Sequence, residues 1–243
     1  MKKISEIKKS SLYLILVALI IIVGGVTFFV KQKFNKAEIK PLAYNKEEMS
    51  ELKTQSYAAK NLVASETDDK IIGSKKAALQ FFVYEDYTNY YSAVLNETLE
   101  KIKTEVGNNI AFTVRPYFKN SPIAAQAALA VDCAGREGKW AEMRSLLLSR
   151  AKNLQSIGED FTAYAQQLGL NKNNFAICLT NELKSGKIEK DLTEAELLGV
   201  QGSPTIFIGD EIILGARPYD DFIDSNGDKI KGLKTIVDEK LGQ

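Results

Sequence analysis

The 243-residue chain contains no histidine. Without an imidazole, Ser-His-Asp and Cys-His catalysis, histidine metal ligation and histidine pH switching are all excluded. The two cysteines, Cys133 and Cys178, are too few for a structural zinc site and are not arranged as C-x-x-C. We therefore predict neither a metal nor a cofactor.

The chain also lacks an excess of charge of either sign. Its 32 lysine and arginine residues stand against 31 aspartate and glutamate residues, and no dense basic run occurs outside the N-terminus. A nucleic-acid-binding surface needs concentrated positive charge, so we predict no nucleic-acid partner. With 45% hydrophobic residues, the chain can form one domain with a substantial core and additional segments.

Residues 12–30 form an uncharged apolar run that lysines flank on both sides. As a helix, this run spans roughly the 30 Å hydrocarbon core of a bilayer. A cleavable signal peptide has a shorter apolar region and a small-x-small cleavage site, which are not seen here. We predict a cytoplasmic tail at 1–10, a single-pass anchor at 11–30 and a juxtamembrane linker at 31–66. The flanking lysines do not decide the orientation, and we place the C-terminal domain outside the cytoplasm because long domains translocate largely regardless of charge.

Apolar periodicity predicts a β-α-β unit after the linker. The segment "ALQFFVY" at 78–84 is an aromatic-rich run typical of a buried strand. Asn89 can cap the helix that follows, and Gly107 can end that helix. The segment "IAFTV" at 110–114 alternates as a second strand.

The remainder of the chain divides into a helical block, a hairpin and a last helix. Residues 122–199 carry helical patterns separated by glycines. Strand character returns at 205–215, where Gly209-Asp210 fits a two-residue hairpin turn. The segment "GLKTIVDEKL" is predicted to close the chain as a helix.

Several segments in this order resemble the DsbA-like family of extracytoplasmic thiol-disulfide oxidoreductases. They are "DDKIIGSKKAALQFFVYEDY", "AALAVDCAGREGKWAEMRSLLL", "YAQQLGL", "FAICL" and "LLGVQGSPTIFIGDEIILGARPYDDF". The resemblance runs from about Asp68 to Phe222. It implies an α/β thioredoxin fold with a helical insertion at about 121–199, within a domain at 67–243.

The resemblance fails at the family's reactive motif. In that family, the first strand is followed by acidic-aromatic-x-C-P-x-C, and here Asp86 and Tyr87 keep only the first two positions. The four motif positions hold Asn89, Tyr90, Tyr91 and Ser92.

The family's chemistry needs a thiolate and a second sulfur to close a disulfide. The amide of Asn89 is not a nucleophile, and the chain has no histidine that could activate Ser92. We therefore predict no catalytic residue at the motif and no redox turnover there. The neighbouring carboxylates Glu85 and Asp86 have two interpretations, an acid/base pair or a solvated strand end.

The resemblance implies a second landmark, a cis bond at Ser203-Pro204 in a turn that faces the motif. In the family, backbone groups of this turn can pair with an extended peptide. Tyrosines give amphipathic contact area at low entropic cost, so we predict a peptide-binding face that combines this turn with an exposed tyrosine cluster. The cluster comprises Tyr87, Tyr90 and Tyr91. Packing of the tyrosines against the insertion, and a turn needed only for folding, stay open as alternatives.

The resemblance also bears on the two cysteines, because some members of the family have cysteines at matching places. A Cys133–Cys178 disulfide would stabilise the domain by about 4 kcal/mol in the chain-entropy model, and it requires an oxidising compartment. Two buried free thiols and a reactive pair are the alternatives.

These expectations combine into one hypothesis with two alternatives. The chain is expected to be a membrane-anchored, extracytoplasmic DsbA-like protein that is redox-inactive and binds a peptide or an envelope protein. The first alternative is disulfide handling retained through Cys133 and Cys178 or through a partner's cysteines. The second is a structural scaffold in the bacterial cell envelope.

Overall fold

The computed structural model describes residues 69–158, 160–182, 187–209 and 211–242. Within these ranges, no helix combines the length and the apolar character needed to cross a bilayer. The predicted cytoplasmic tail, membrane anchor and juxtamembrane linker, at residues 1–66, lie outside the described residues.

The described chain contains a five-stranded sheet of order β1-β3-β2-β4-β5. Strands β2 and β3 are parallel, and the other neighbouring pairs are antiparallel. The strands are β1 (Lys70–Gly73), β2 (Leu79–Glu85), β3 (Ile110–Pro116), β4 (Thr205–Ile208) and β5 (Glu211–Leu214). A separate antiparallel pair comprises β6 (Phe222–Ile223) and β7 (Lys229–Ile230).

Helix α1 connects β2 to β3, helices α2 to α6 lie between β3 and β4, and α7 follows β7. The helices are α1 (Tyr90–Val106), α2 (Pro122–Arg136), α3 (Trp140–Lys152), α4 (Phe161–Gln167), α5 (Lys172–Glu182), α6 (Lys187–Leu197) and α7 (Leu233–Leu241). This order confirms the predicted α/β thioredoxin fold with a helical insertion.

Local chemistry explains where the main helices begin and end. Ser121 caps α2 by accepting a hydrogen bond from the N–H of Ala124 at 3.2 Å, and Pro122 occupies the first turn, where its missing N–H costs nothing. Asp160 caps α4 by accepting from the N–H of Thr162 at 3.1 Å. Gly107 ends α1 with φ of +66°, a conformation that other residues rarely adopt.

The central strands β2 and β3 are buried on both faces of the sheet. On one face, Phe81 and Phe112 belong to the main core, which also contains apolar residues of α1, α2 and α7. On the other face, Phe82 and Tyr84 cluster with Ala195 of α6 and neighbouring apolar residues. Two-sided burial explains why β2 reads as a continuous apolar run and not as a strict alternation.

The hairpin pair β6–β7 is an addition to the elements that the sequence predicted. Asp221 stands before it and accepts hydrogen bonds from the N–H of Gly232 at 2.9 Å and the hydroxyl of Thr235 at 2.7 Å. These bonds join the two ends of the hairpin and fix the start of α7. A side chain could not replace Gly232, because a Cβ there would lie 2.3 Å from the backbone carbonyl carbon of Asp220.

Candidate functional site

Residues 86–92, which comprise the β2–α1 connection and the first three residues of α1, carry the four motif positions and are called the site loop below. At its centre, the side-chain oxygen of Asn89 accepts hydrogen bonds from the N–H groups of Tyr91 at 2.8 Å and Ser92 at 3.1 Å. The backbone of Asn89 is extended, with φ of −95° and ψ of 132°. This is the geometry of a helix N-cap, which confirms the predicted cap and engages the side chain at the first motif position in folding.

Ser92 stands at the last motif position and is fully buried. Its hydroxyl oxygen accepts a hydrogen bond from the backbone N–H of Asp86 at 3.2 Å. The hydroxyl therefore ties the first turn of α1 to the start of the site loop. Because it does not face solvent, it offers no accessible nucleophile.

The adjacent carboxylates are both occupied by structural contacts. One oxygen of Asp86 accepts from the N–H and from the hydroxyl of Thr88, each at 2.7 Å, which forms an Asx turn. Burial raises the pKa of Asp86, against the opposing effect of the two Thr88 bonds. Glu85 is fully buried, so the interpretation as a solvated strand end is wrong for Glu85, and its carboxylate is bound by Arg144.

The predicted tyrosine cluster is divided by the fold. Tyr90 and Tyr91 are each 42% exposed, and their rings meet edge to face with centroids 5.5 Å apart. Tyr87 is only 2% exposed and belongs to the main core.

The prediction of an exposed Tyr87 is therefore wrong. The site loop turns this side chain inward beside the buried end of β2, and a local sequence pattern does not reveal that direction. Its hydroxyl has no hydrogen-bond partner among the described residues. Burial raises the pKa of this phenol well above its ordinary value.

The Ser203–Pro204 bond is cis, as the family resemblance implied. Pro204 is buried, and its carbonyl accepts from the N–H of Gly215 at 2.8 Å. The next residue, Thr205, pairs with Tyr84 in the antiparallel β2–β4 register. That register brings the Ser203–Pro204 turn and the site loop to the same end of the sheet.

Cys133 and Cys178 form a disulfide that joins α2 to α5, and the described chain holds no free cysteine. This confirms the structural disulfide, and the alternative of two free thiols is wrong. Cys133 is only 1% exposed. The bridge closes a 45-residue separation, for which the chain-entropy model gives about 4 kcal/mol.

The sequence did not predict the group that lies directly behind the site loop. Arg144 of α3 is 3% exposed and donates to the two oxygens of Glu85, from Nε at 2.5 Å and from Nη2 at 2.8 Å. Its Nη1 donates to the side-chain oxygen of Asn96 on α1 at 2.7 Å. Burial alone would lower the pKa of the guanidinium, but the Glu85 carboxylate reverses this effect and raises the pKa.

No metal centre is formed by these groups. Among residues 69–158, 160–182, 187–209 and 211–242, there is no group of three or more carboxylate or cysteine side chains that could hold a metal ion.

A family model described as thioredoxin matches residues 64–224. Solved structures with the same fold include α-DsbA2 from Wolbachia pipientis, a thiol-disulfide exchange protein, with a TM-score of 0.58 and 16% identity over 71% of this chain and 92% of that one. The catalytic domain of Proteus mirabilis ScsC has a TM-score of 0.59 and 23% identity, over 79% of this chain and 99% of that one. BdbD from Bacillus subtilis has a TM-score of 0.57 and 18% identity, over 74% of this chain and 96% of that one. At these identities, the likeness shows the fold alone.

Curated relatives match at higher identity over a shorter stretch. The chain is 27% identical over 142 residues to an Na⁺/H⁺ antiporter NhaA of Herminiimonas arsenicoxydans, covering 58% of this chain and 22% of the relative. It is 29% identical over 142 residues to NhaA 1 of Salinispora arenicola, covering 58% and 21%. The chain thus spans about a fifth of the length of these relatives.

Proposed function

Because the chain belongs to the thioredoxin family, we propose that it is a DsbA-like domain that has lost thiol-disulfide exchange and acts by binding a peptide or protein. The binding face comprises Tyr90, Tyr91, Ser203 and Pro204. The domain lies outside the cytoplasm and is tethered to the membrane by residues 11–30. One observation carries the proposal: an exposed tyrosine pair opens a helix whose cap position holds an asparagine in place of sulfur.

The loss of redox chemistry is supported by the contacts of the motif residues. Exchange needs an accessible thiolate and a second sulfur. Asn89 is engaged in two cap hydrogen bonds, and Ser92 is buried against the backbone of Asp86. The motif positions therefore contribute to folding, and nothing in their arrangement activates a nucleophile.

The binding role is supported by exposed aromatic area next to a turn at the edge of the site. Tyr90 and Tyr91 combine ring surface with hydroxyl groups, and aromatic residues of this kind dominate binding energy at protein interfaces. The Ser203–Pro204 turn stands at the same end of the sheet. Extended peptides that bind beside a strand gain affinity from main-chain hydrogen bonds and specificity from side-chain contacts.

The proposed location is supported by three independent features. The uncharged run at 12–30 has the length of a bilayer span. The Cys133–Cys178 disulfide is typical of an oxidising compartment. The curated relatives are named as Na⁺/H⁺ antiporters, and an antiporter exchanges ions across a membrane.

Restoring the motif tests the loss of redox activity. The full chain, purified in detergent, is assayed for insulin reduction and for oxidative refolding of a reduced substrate, with free thiols counted by mass. We expect no turnover and no free thiol. The Asn89→Cys/Ser92→Cys variant should gain turnover, because the fold around both positions is that of an exchange protein, while Asn89→Cys alone should not cycle. Turnover by the unaltered chain would overturn the proposal.

Peptide selection tests the binding role. A phage-displayed library of random linear peptides is selected on the full chain, and the dissociation constants of enriched peptides are measured by fluorescence anisotropy. We expect Tyr90→Ala/Tyr91→Ala to weaken binding by about thirtyfold or more, since truncation of an aromatic hot-spot residue costs at least about 2 kcal/mol. Substitution of the exposed Leu154, which lies in the insertion, serves as the control. Equal affinity for both variants would remove this face from consideration.

A further inference from the structure

We propose that Arg144 is the positioning residue of the binding face, because its guanidinium fastens the chain on both sides of the site loop. This inference rests on the proposed function and adds a residue from the helical insertion to it. Arg144 does not itself contact a bound peptide in this proposal. It fixes the orientation in which α1 presents Tyr90 and Tyr91.

The argument begins with which parts of the chain Arg144 joins. Glu85 is the last residue of β2, immediately before the site loop, and Asn96 lies on α1 just after that loop. The guanidinium donates to both side chains, twice to Glu85 and once to Asn96. One rigid planar group therefore spans the loop and sets the distance and angle between its two ends.

Burial of the Glu85–Arg144 pair restricts α1 to one orientation. Glu85 is 0% exposed and Arg144 is 3% exposed, so water cannot replace either partner. In a buried environment, hydrogen bonds between charged groups are strong, and any orientation of α1 that separated them would leave a charge without a partner. Helix α1 consequently has one stable orientation relative to β2.

Two shorter contacts extend this orientation to the face itself. The Ser92 hydroxyl accepts from the N–H of Asp86, and the Asn89 side chain accepts from the N–H of Tyr91. The first turn of α1 is thereby held to the start of the loop. Tyr90 and Tyr91 lie on that turn, so their placement follows from the contacts of Arg144 behind them.

The contacts that Arg144 makes with Glu85 and Asn96 require an arginine, and a lysine could not make all of them. A guanidinium presents five N–H donors in a fixed fork, whereas an ammonium is a point charge on a flexible stem. Arg144→Lys keeps the charge opposite Glu85 but removes the geometry that also engages Asn96. It should therefore weaken the positioning while leaving the ion pair in place.

The test uses a thiol as a reporter of the α1 N-terminus. In the full chain carrying Asn89→Cys, the introduced thiol is free, because Cys133 and Cys178 are bonded to each other. This substitution removes the Asn89 cap but keeps the Ser92–Asp86 bond, so every further variant is compared with Asn89→Cys alone. Its rate of alkylation by iodoacetamide is measured as a function of pH. A helix N-terminus should hold the pKa of this thiol below the ordinary value of about 8.5.

The decisive variant adds Glu85→Leu/Arg144→Met to that background. It removes both charges together, so no buried ion is left without a partner and folding is retained. We expect the alkylation profile to shift toward the ordinary thiol value, because the first turn of α1 is no longer held. Arg144→Lys should shift the profile in the same direction by less. An unchanged profile in the double variant would overturn the proposal.

Arg115→Met is the matched control. Arg115 is also a largely buried arginine, but its partners include Asp69, Tyr84 and Glu194, none of which belongs to the site loop or to α1. We expect no shift of the alkylation profile in this variant. A shift as large as that of the double variant would mean general loosening of the fold, and the positioning role would be wrong.

A second readout separates this inference from the proposed function. With a peptide from the selection, the double variant at positions 85 and 144 should bind about tenfold more weakly, a typical size for coupling between a supporting contact and a site. Unchanged affinity would contradict the positioning of the face. If the selection yields no peptide that depends on Tyr90 and Tyr91, the proposed binding function fails, while the alkylation profile still decides whether Arg144 positions α1.

Discussion

Arg144 and Arg115 are both largely buried, yet the structure surrounds them differently. Arg144 reaches from α3 to a single carboxylate, Glu85, and both side chains are shielded from solvent. Arg115 lies on β3 and binds two carboxylates, Asp69 through two bonds of 2.9 Å and Glu194 through one of 2.7 Å. The Glu194 side chain is 42% exposed, so water reaches one side of this second cluster.

The difference shows that similar ion pairs can do different work in one domain. A charge pair without access to water contributes chiefly by permitting one arrangement, because separating it is costly even where its net stabilisation is small. The Arg115–Glu194 pair, whose carboxylate is 42% exposed, can exchange a protein partner for water. Arg144 therefore determines how α1 meets β2, whereas Arg115 connects Asp69, at the entrance to β1, with α6 in a more tolerant way.

The largest effect is expected from breaking the buried pair on one side only. Arg144→Met leaves the Glu85 carboxylate buried without its partner, and we expect the free energy of unfolding to fall by about 3–5 kcal/mol. Urea denaturation followed by far-ultraviolet circular dichroism measures this change. Glu85→Leu/Arg144→Met should recover most of the loss. A double variant as unstable as the single variant would show that the pair itself stabilises the fold.

A smaller loss is expected at the second cluster. Arg115→Met removes the hydrogen bonds to Asp69, Tyr84 and Glu194. Water can solvate the exposed Glu194 carboxylate, and the Asp69 carboxylate is 8% exposed, so it is not fully shielded from water as Glu85 is. We expect a decrease of about 2 kcal/mol in the free energy of unfolding, the scale of hydrogen bonds to charged groups. The same urea titration measures it. A loss equal to that of Arg144→Met would remove the distinction between the two arginines.

Local sequence signals predicted the parts of the fold that depend on local chemistry. The aromatic run of β2, the cap at Asn89 and the end of α1 at Gly107 each follow from residues near one another in the chain. The α/β thioredoxin fold, the cis bond at Pro204 and the disulfide were implied by the family resemblance. The structure confirms the features of both kinds.

The contacts behind the site could not be predicted in this way. Glu85 and Arg144 lie 59 positions apart, and no local pattern pairs them. Tyr87 differs from Tyr90 and Tyr91 only in the direction that the site loop gives it, which depends on tertiary packing. The β6–β7 pair has two residues in each strand, too few for a periodic signal. Long-range partners and short strands are therefore where the structure adds most.

Tyr84, the phenol beside Arg115, is expected to have the smallest effect on the free energy of unfolding at neutral pH and a clear effect at high pH. Burial raises the pKa of Tyr84 to about 12, against the opposing effect of the Arg115 guanidinium, whose Nη1 donates to the Tyr84 hydroxyl at 3.1 Å. A tyrosine in the unfolded chain loses its proton at about pH 10. Between about pH 10 and pH 12, the unfolded state ionises while the folded state does not, so this group's contribution to stability is lost as pH rises through that window.

Tyr84→Phe should therefore flatten the decline of the unfolding free energy over that pH range, measured by urea titration at successive pH values. The decline should not vanish, because burial also raises the pKa of Tyr87 and Tyr117. Tyr90→Phe controls for the removal of one phenol from an exposed position. If the unfolding free energies of Tyr84→Phe and Tyr90→Phe decline in parallel, Tyr84 ionises equally in the folded and unfolded states. The surroundings of Arg115 would then be as accessible to water as the protein surface. A flatter curve for Tyr84→Phe alone would mean that water reaches the Arg115 cluster only at Glu194. The Tyr84 side of Arg115 would then be as shielded from water as the surroundings of Arg144.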